Sequence, residues 1–170
     1  MDAVADITTR HGYVRMLRIM RTVYAQLSAV LESAACTLGI TPRYDALLRA
    51  IDADLKALGC IVDVSESRDN EDWSTSEALG ATYVMEGSAL GSQLLRKRLL
   101  ERHTETLPHT YFDTIIAAQP TRWRQVVAAL NHSEARRDDM LAGALATFAA
   151  LDAAACSYRT TELCGVDSNA

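Results

Sequence analysis

A chain of 170 residues, 49% hydrophobic and with only 3 prolines, is long enough to bury one substantial core and suggests a single domain over 1–170. Its 17 basic and 22 acidic residues leave a formal charge of −5, and no basic stretch is interleaved with aromatics, so nucleic acid is not an expected partner. No apolar run approaches the roughly 18 residues of a membrane span, and Met1 to Asp6 lacks the basic segment and apolar core of a signal peptide, so a cytoplasmic protein with no membrane partner is expected.

The cysteines, Cys36, Cys60, Cys156 and Cys164, are widely scattered and form no CxxC pair or Cys/His cluster at zinc spacing. They read as buried or loop thiols. Redox chemistry and a structural zinc are not indicated.

In chain order, Thr8 or Thr9 can cap a first helix. Tyr13, Met16, Leu17, Met20, Tyr24, Leu27 and Leu31 follow at spacings of three and four, the apolar face of an amphipathic helix ending near Ser33 to Cys36. Arg15, Arg18 and Arg21 fall mostly off that face and read as solvated. Gly39 and Thr41-Pro42 break the chain, and Pro42 suits the first turn of the next helix. That helix is marked by Leu47, Leu48, Ile51, Leu55 and Leu58 and stops at Gly59. Asp63 to Asp72 is polar and aperiodic, which predicts a loop.

Ser74 or Ser76 caps a long central helix that fades near His103 to Thr106, with Leu79, Tyr83, Leu90 and Leu94 as its apolar stripe. Pro108 precedes a short helix over Tyr111 to Ala118, and Pro120 opens another through Trp123, Val126, Val127 and Leu130. Ser133 is the expected cap of the last helix, whose inner face is predicted to carry Leu141, Ala144, Leu145, Phe148, Leu151 and Ala155. No stretch alternates as a strand does. The chain therefore reads as all-α with about six helices, and with residues 1–6 and 159–170 as flexible ends.

The central helix is unusual in carrying Gly80, Gly87 and Gly91 in its interior, each costing about 1 kcal/mol relative to alanine. Two explanations stand side by side. Small residues let two helix backbones approach closely, or a planar ligand rests against the bare backbone of a kinked helix. Glu86 likewise has two readings: a polar group orienting water or ligand, or an anchor for the bend that needs a donor such as an arginine. No nucleophilic triad is legible.

The run Ala78 to Gly91, ALGATYVMEGSALG, resembles the distal-helix signature of heme oxygenases in the bacteriophytochrome-associated bacterial branch, close to A-L-G-x-x-Y-V-L-E-G-S-x-L-G-G. Met85 stands for a leucine and Ser92 for the last glycine. Ala5-Asp6-Ile7 with Gly12-Tyr13 and Leu17 is similar to the start of that family's second helix, and Asp54 to Gly59 to its D-L-x-x-L-G. Arg122-Trp123 with Phe148 and Leu151 is similar to its C-terminal part, so the resemblance covers about Asp6 to Ala155.

The resemblance implies the all-α heme oxygenase-like fold, with heme between a proximal helix and the glycine-bearing distal helix. It implies cofactor contacts at Tyr83, Glu86, Gly87, Ser88, Gly91 and Ser92, and propionate contacts at Arg96 and Arg98. In the family the proximal helix, with its iron-ligating histidine, precedes the segment that begins here near Asp6. Met1 lies only a few residues upstream, so that helix is expected to be missing and ordinary chemistry to be compromised. His11 is the nearest substitute ligand; His103, His109 and His132 read as loop or junction residues.

Two functions follow from the resemblance. The first is a noncatalytic family member acting as a regulatory, tetrapyrrole-binding or interaction module, with a homodimer or sensor-protein partner over an uncovered apolar face. The second is an active heme oxygenase cleaving heme with O2 and an external reductant to biliverdin, iron and CO. A phytochrome link is implied only by the branch resembled.

Overall fold

The computed structural model describes residues 7, 9–62, 73–102, 107–117 and 119–164, with the backbone alone for Pro120 and for 159–164. The loop expected over 63–72, His103, and the ends 1–6 and 165–170 lie outside the described residues. The described residues form helices: α1 (Arg10–Thr37), α2 (Tyr44–Ala57), α3 (Thr75–Ser88), a 3-10 turn (Ala89–Gly91), α4 (Ser92–Arg102), α5 (Thr110–Ile116), α6 (Gln119–Asn131) and α7 (Arg137–Cys164). Counting α3, the turn and α4 as one kinked helix gives the six helices that the periodicity predicts.

Local chemistry sets most of the boundaries. Thr9 caps α1, its hydroxyl accepting from the Gly12 amide at 3.0 Å. Gly59 follows α2 with φ 72°, and the Cys60 amide reaches back to the Leu55 carbonyl at 2.9 Å, a helix stop that needs the left-handed conformation glycine tolerates. Ser133 does not cap the last helix. Its hydroxyl donates to the Leu130 carbonyl at 2.8 Å, closing the end of α6, and α7 starts only at Arg137. At the other end α7 runs on through Cys164, past the point where the apolar pattern fades.

The main core lies between α1, α2, α3 and α5. Tyr13, Leu17, Tyr24, Leu31, Leu47, Ile51, Leu55, Met85 and Phe112 are fully buried in it. Its aromatic centre stacks Tyr13 on Phe112 at 5.9 Å and sets Tyr24 edge-on to Tyr111 at 6.5 Å. Asp54, also fully buried, accepts from the Thr110 and Tyr111 amides at 3.0 and 2.9 Å and from the Tyr13 hydroxyl at 3.2 Å. The carboxylate thereby caps α5 and fastens it to α1 and α2.

α7 packs along α3 more extensively than any other pair of elements. At their crossing a methyl group on Gly80 would collide with the Met140 carbonyl oxygen, and one on Gly143 with the Glu77 carbonyl oxygen. Backbones in such contact leave room only for small residues on the inner faces. Gly143, Thr147 and Ala154 are buried there, and Thr147 returns its hydroxyl to the Gly143 carbonyl at 2.8 Å.

This packing corrects the expected apolar stripes. Leu141, Leu145 and Phe148 are 58%, 60% and 58% exposed rather than inward, because the glycine contact turns their side of α7 outward. On the kinked helix Leu79 is buried, while Tyr83, Leu90 and Leu94 are 49%, 50% and 53% exposed. The inner side is taken by Ala78, Ala81, Thr82, Met85, Glu86 and Ala89.

The expectation that no apolar run approaches the length of a membrane span needs a correction as well. Arg137–Tyr158 of α7 is long and apolar enough, by length and composition, to cross a bilayer. Its many alanines supply that character without forming a run of large side chains. One side of the same helix packs on α3 and α1, while only 17% of its apolar window is buried.

The glycines can be told apart by substitution. Gly80→Ala should lose at least about 2 kcal/mol of stability in urea unfolding, since neither backbone can yield cheaply. Gly91, where an added methyl group would meet nothing within 4 Å, should accept alanine with a change of about 1 kcal/mol or less, in the stabilising direction. Equal costs at the two positions would contradict the packing described.

Candidate functional site

The site is built on the kinked helix. Ser74 and Glu77 form a reciprocal cap at the start of α3: the Ser74 hydroxyl accepts from the Glu77 amide at 3.2 Å and the Glu77 carboxylate from the Ser74 amide at 2.8 Å. Hydrogen bonds to the Glu77 carboxylate from the Ser74 hydroxyl and then from the Ser74 amide lower its pKa below the usual value. After Ser88, regular α-helix gives way to the 3-10 turn Ala89–Gly91, a tighter winding that marks the bend. The Ser88 hydroxyl donates to the Met85 carbonyl at 2.8 Å at that point.

Helical spacing places Tyr83, Gly87, Leu90, Gly91, Leu94 and Arg98 on one outer face. The surroundings differ along it. The Tyr83 ring lies 5.3 Å from the Trp123 ring of α6, and a methyl group on Gly87 would touch Trp123 at 3.4 Å. Gly91 opens onto free space. Beyond Tyr83 a cavity of about 350 Å³ reaches between Val127, Leu130, Asn131, Arg137 and Met140. The result is an outer face with open space over the Gly91 backbone, the Tyr83 and Trp123 rings on one side, half-exposed Leu90 and Leu94, and the exposed Arg98 at one end.

Several residues expected beside a cofactor point elsewhere. Ser92 is buried, on the inner side. The Arg96 Nε donates to Asp113 Oδ1 of α5 at 2.8 Å, so Arg96 and Arg98 diverge. Glu86 is 1% exposed and turned inward. Its carboxylate accepts from Arg43 Nη2 at 2.6 Å, Tyr44 Oη at 2.7 Å and Arg122 Nε at 2.7 Å. Arg122 continues to the Thr41 carbonyl at 2.6 Å and Arg43 to the Ile115 carbonyl at 3.1 Å. Burial, and then the Glu86 charge beside it, push the Tyr44 phenol well above its ordinary pKa, so it stays a donor. Of the two readings of Glu86, the anchor for the bend has its arginine donors in place. Arg43 and Tyr44 carry no sequence signal; Arg122 is visible only through the family resemblance.

The histidines do not gather at this face. His11 is exposed in the first turn of α1 and lines a groove with Arg10, Arg15, Arg18, Cys60 and Tyr158 that shares no residue with the glycine face. His109 immediately precedes α5 without bonding its free amides, its Nδ1 at 3.2 Å from the Leu107 carbonyl oxygen and its Nε2 at 3.7 Å from Asp113 Oδ2. His132 Nδ1 donates to the Ala128 carbonyl at 2.7 Å. Among the described residues no group of three or more His, Cys, Asp or Glu side chains could hold a metal ion.

A planar apolar macrocycle with carboxylate arms fits what the face offers: uncovered backbone at Gly91, half-exposed Leu90 and Leu94, and Arg98 for a carboxylate. The inner side of the same helix holds the surface in place. Glu86→Gln should cost about 3–5 kcal/mol in urea unfolding, because the buried Arg122 and partly buried Arg43 guanidinium groups would lose their counter-charge. A loss below about 1 kcal/mol would show that the cluster contributes little.

No family model and no solved structure matches the chain. Among curated proteins, the chain is 31% identical over 153 residues to a heme oxygenase of Xanthomonas campestris pv. campestris (strain 8004), a match covering 87% of this chain and 86% of that protein. With a glycine-bearing, kinked helix presenting bare backbone in an all-helical fold, and with that identity across most of both sequences, the chain belongs to the heme oxygenase family.

Proposed function

We propose that this family member binds a tetrapyrrole, with heme as the candidate, on the outer face of α3, the 3-10 turn and α4, and that it acts as a noncatalytic binding or interaction module. One observation carries the reading: Tyr83, Leu90 and Leu94 lie about half exposed on the side where Gly91 leaves the backbone bare. Large side chains held so far out of a core are costly to leave in water, and a flat apolar ligand would cover them. The residues that would hold the ring are Tyr83, Leu90, Gly91 and Leu94, with Arg98 available to a propionate through a charge-assisted pair.

Heme, when bound, supplies the iron at which oxygen chemistry takes place, and the identity and orientation of the axial ligand govern that chemistry. None of the three described histidines lies on the glycine face. That favours binding without turnover. The outward Leu141, Leu145 and Phe148 of α7 support a second copy or a sensor-protein partner. A bacteriophytochrome-associated signalling role in the cytoplasm belongs to the proposal on sequence resemblance alone.

A second reading, an active heme oxygenase, is favoured by the name of the Xanthomonas relative. It requires His11 to leave its groove, or a histidine from outside the described residues.

Absorption titration with hemin, followed by ascorbate under air, separates the two. A saturable Soret band that survives reductant without yielding biliverdin is expected. Decay to a biliverdin spectrum would overturn the noncatalytic reading in favour of the second. Absence of any saturable Soret change would overturn both.

A further inference from the structure

The outer side of α7 carries a pattern of its own. We propose that it is a self-association surface, on which α7 packs antiparallel against α7 of a second copy of the chain. The proposal rests on the interaction part of the function proposed above and not on tetrapyrrole binding. Arg137, Leu141, Leu145, Phe148 and Asp152 follow one another at spacings of four, four, three and four, which puts all five on one side of the helix. All five are exposed, the leucines and the phenylalanine by more than half.

The apolar centre of the stripe is broad. Ala142, Ala146 and Ala149 are exposed beside it, small enough to let a second helix approach closely. The two ends carry opposite charges, Arg137 at one and Asp152 at the other, and among the described residues neither makes an ion pair. Arg137 also stands in the first turn of α7, where the helix dipole disfavours a cation, so a carboxylate brought up to it offsets that cost.

A two-fold contact is self-complementary: if one residue meets a second, the second meets the first. With the axis between Ala144 and Leu145, Arg137 meets Asp152 of the partner subunit and Leu141 meets the partner's Phe148, while Leu145 and the partner's Leu145 flank the axis. One register thus serves both charged ends and the apolar centre. The ion pairs at the rim set that register, and burial of the leucines and Phe148 supplies the attraction. A membrane surface suits the stripe less well. From Arg137 to Tyr158 the charged residues are one arginine against Asp138, Asp139 and Asp152, whereas a helix lying on anionic lipid carries cations on its polar side.

Sedimentation velocity of the purified protein without hemin, over about 5–200 µM, tests the proposal. A reversible monomer–dimer equilibrium is expected, and Leu145→Glu should abolish it. Arg137→Asp alone and Asp152→Arg alone should each weaken association at least about tenfold, because each sets like charges together at both ends. The two changes combined should return it to within about threefold of the native protein, since the pairs re-form with their signs exchanged. A monomer up to about 200 µM would overturn the proposal, and flotation of that monomer with anionic lipid vesicles would then assign the stripe to a lipid surface. A dimer indifferent to Leu145→Glu, or a double variant no better than either single one, would overturn it as well. Because no hemin is present, failure here leaves the tetrapyrrole reading standing, and a failed hemin titration leaves this one standing.

Discussion

The carboxylate of Glu86 fixes the geometry on which the candidate site depends. It sits in the last turn of α3, where the helix dipole is negative and an isolated anion is disfavoured. Arg43 from the start of α2 and Arg122 from the start of α6 reverse that balance, and the Tyr44 hydroxyl takes a further lone pair. Three segments distant in sequence thus converge one residue before Gly87. With the inner side of the helix held by this cluster and by the Ala81, Met85 and Ala89 packing, the opposite side has to face outward just where it bends.

The glycines of the central helix then divide by purpose. Gly80, with Gly143, gives α3 and α7 a contact at backbone distance and so belongs to the fold. A methyl group added at Gly91 would meet nothing within 4 Å, so this glycine is not held by packing and lies at the surface. Gly87 lies between these cases, against the Trp123 ring. Close packing therefore accounts for Gly80, and the open backbone at Gly91 is where the proposed ligand would rest.

Much of the fold is legible from local chemistry. Thr9 and Ser74 cap as their side chains allow, Gly59 stops α2, and the three-and-four spacing of Tyr13, Leu17, Tyr24, Leu27 and Leu31 marks the buried side of α1. The buried side of α7 is not the one that its largest residues, Leu141, Leu145 and Phe148, suggest. Periodicity finds the apolar stripe, whereas a glycine crossing reserves the contact for the smallest side chains. The partners of Glu86 and Asp54 lie 36 to 57 residues away, apart from any local pattern, and so emerge only in three dimensions. Of the residues expected at the cofactor, Tyr83, Gly87 and Gly91 share the outer face with Arg98, while Glu86, Ser92 and Arg96 are drawn inward or sideways by their own partners.

On the proposed reading, this heme oxygenase family member holds a macrocycle on the Gly91 side of the central helix, while its described histidines lie elsewhere. Hydrogen–deuterium exchange with and without hemin locates the place of binding directly. Slowed exchange confined to α3 from Tyr83 onward, the 3-10 turn, α4 and the Trp123 turn of α6 is the expected result. Slowed exchange at the α1 groove instead, with no change around Gly91, would contradict it.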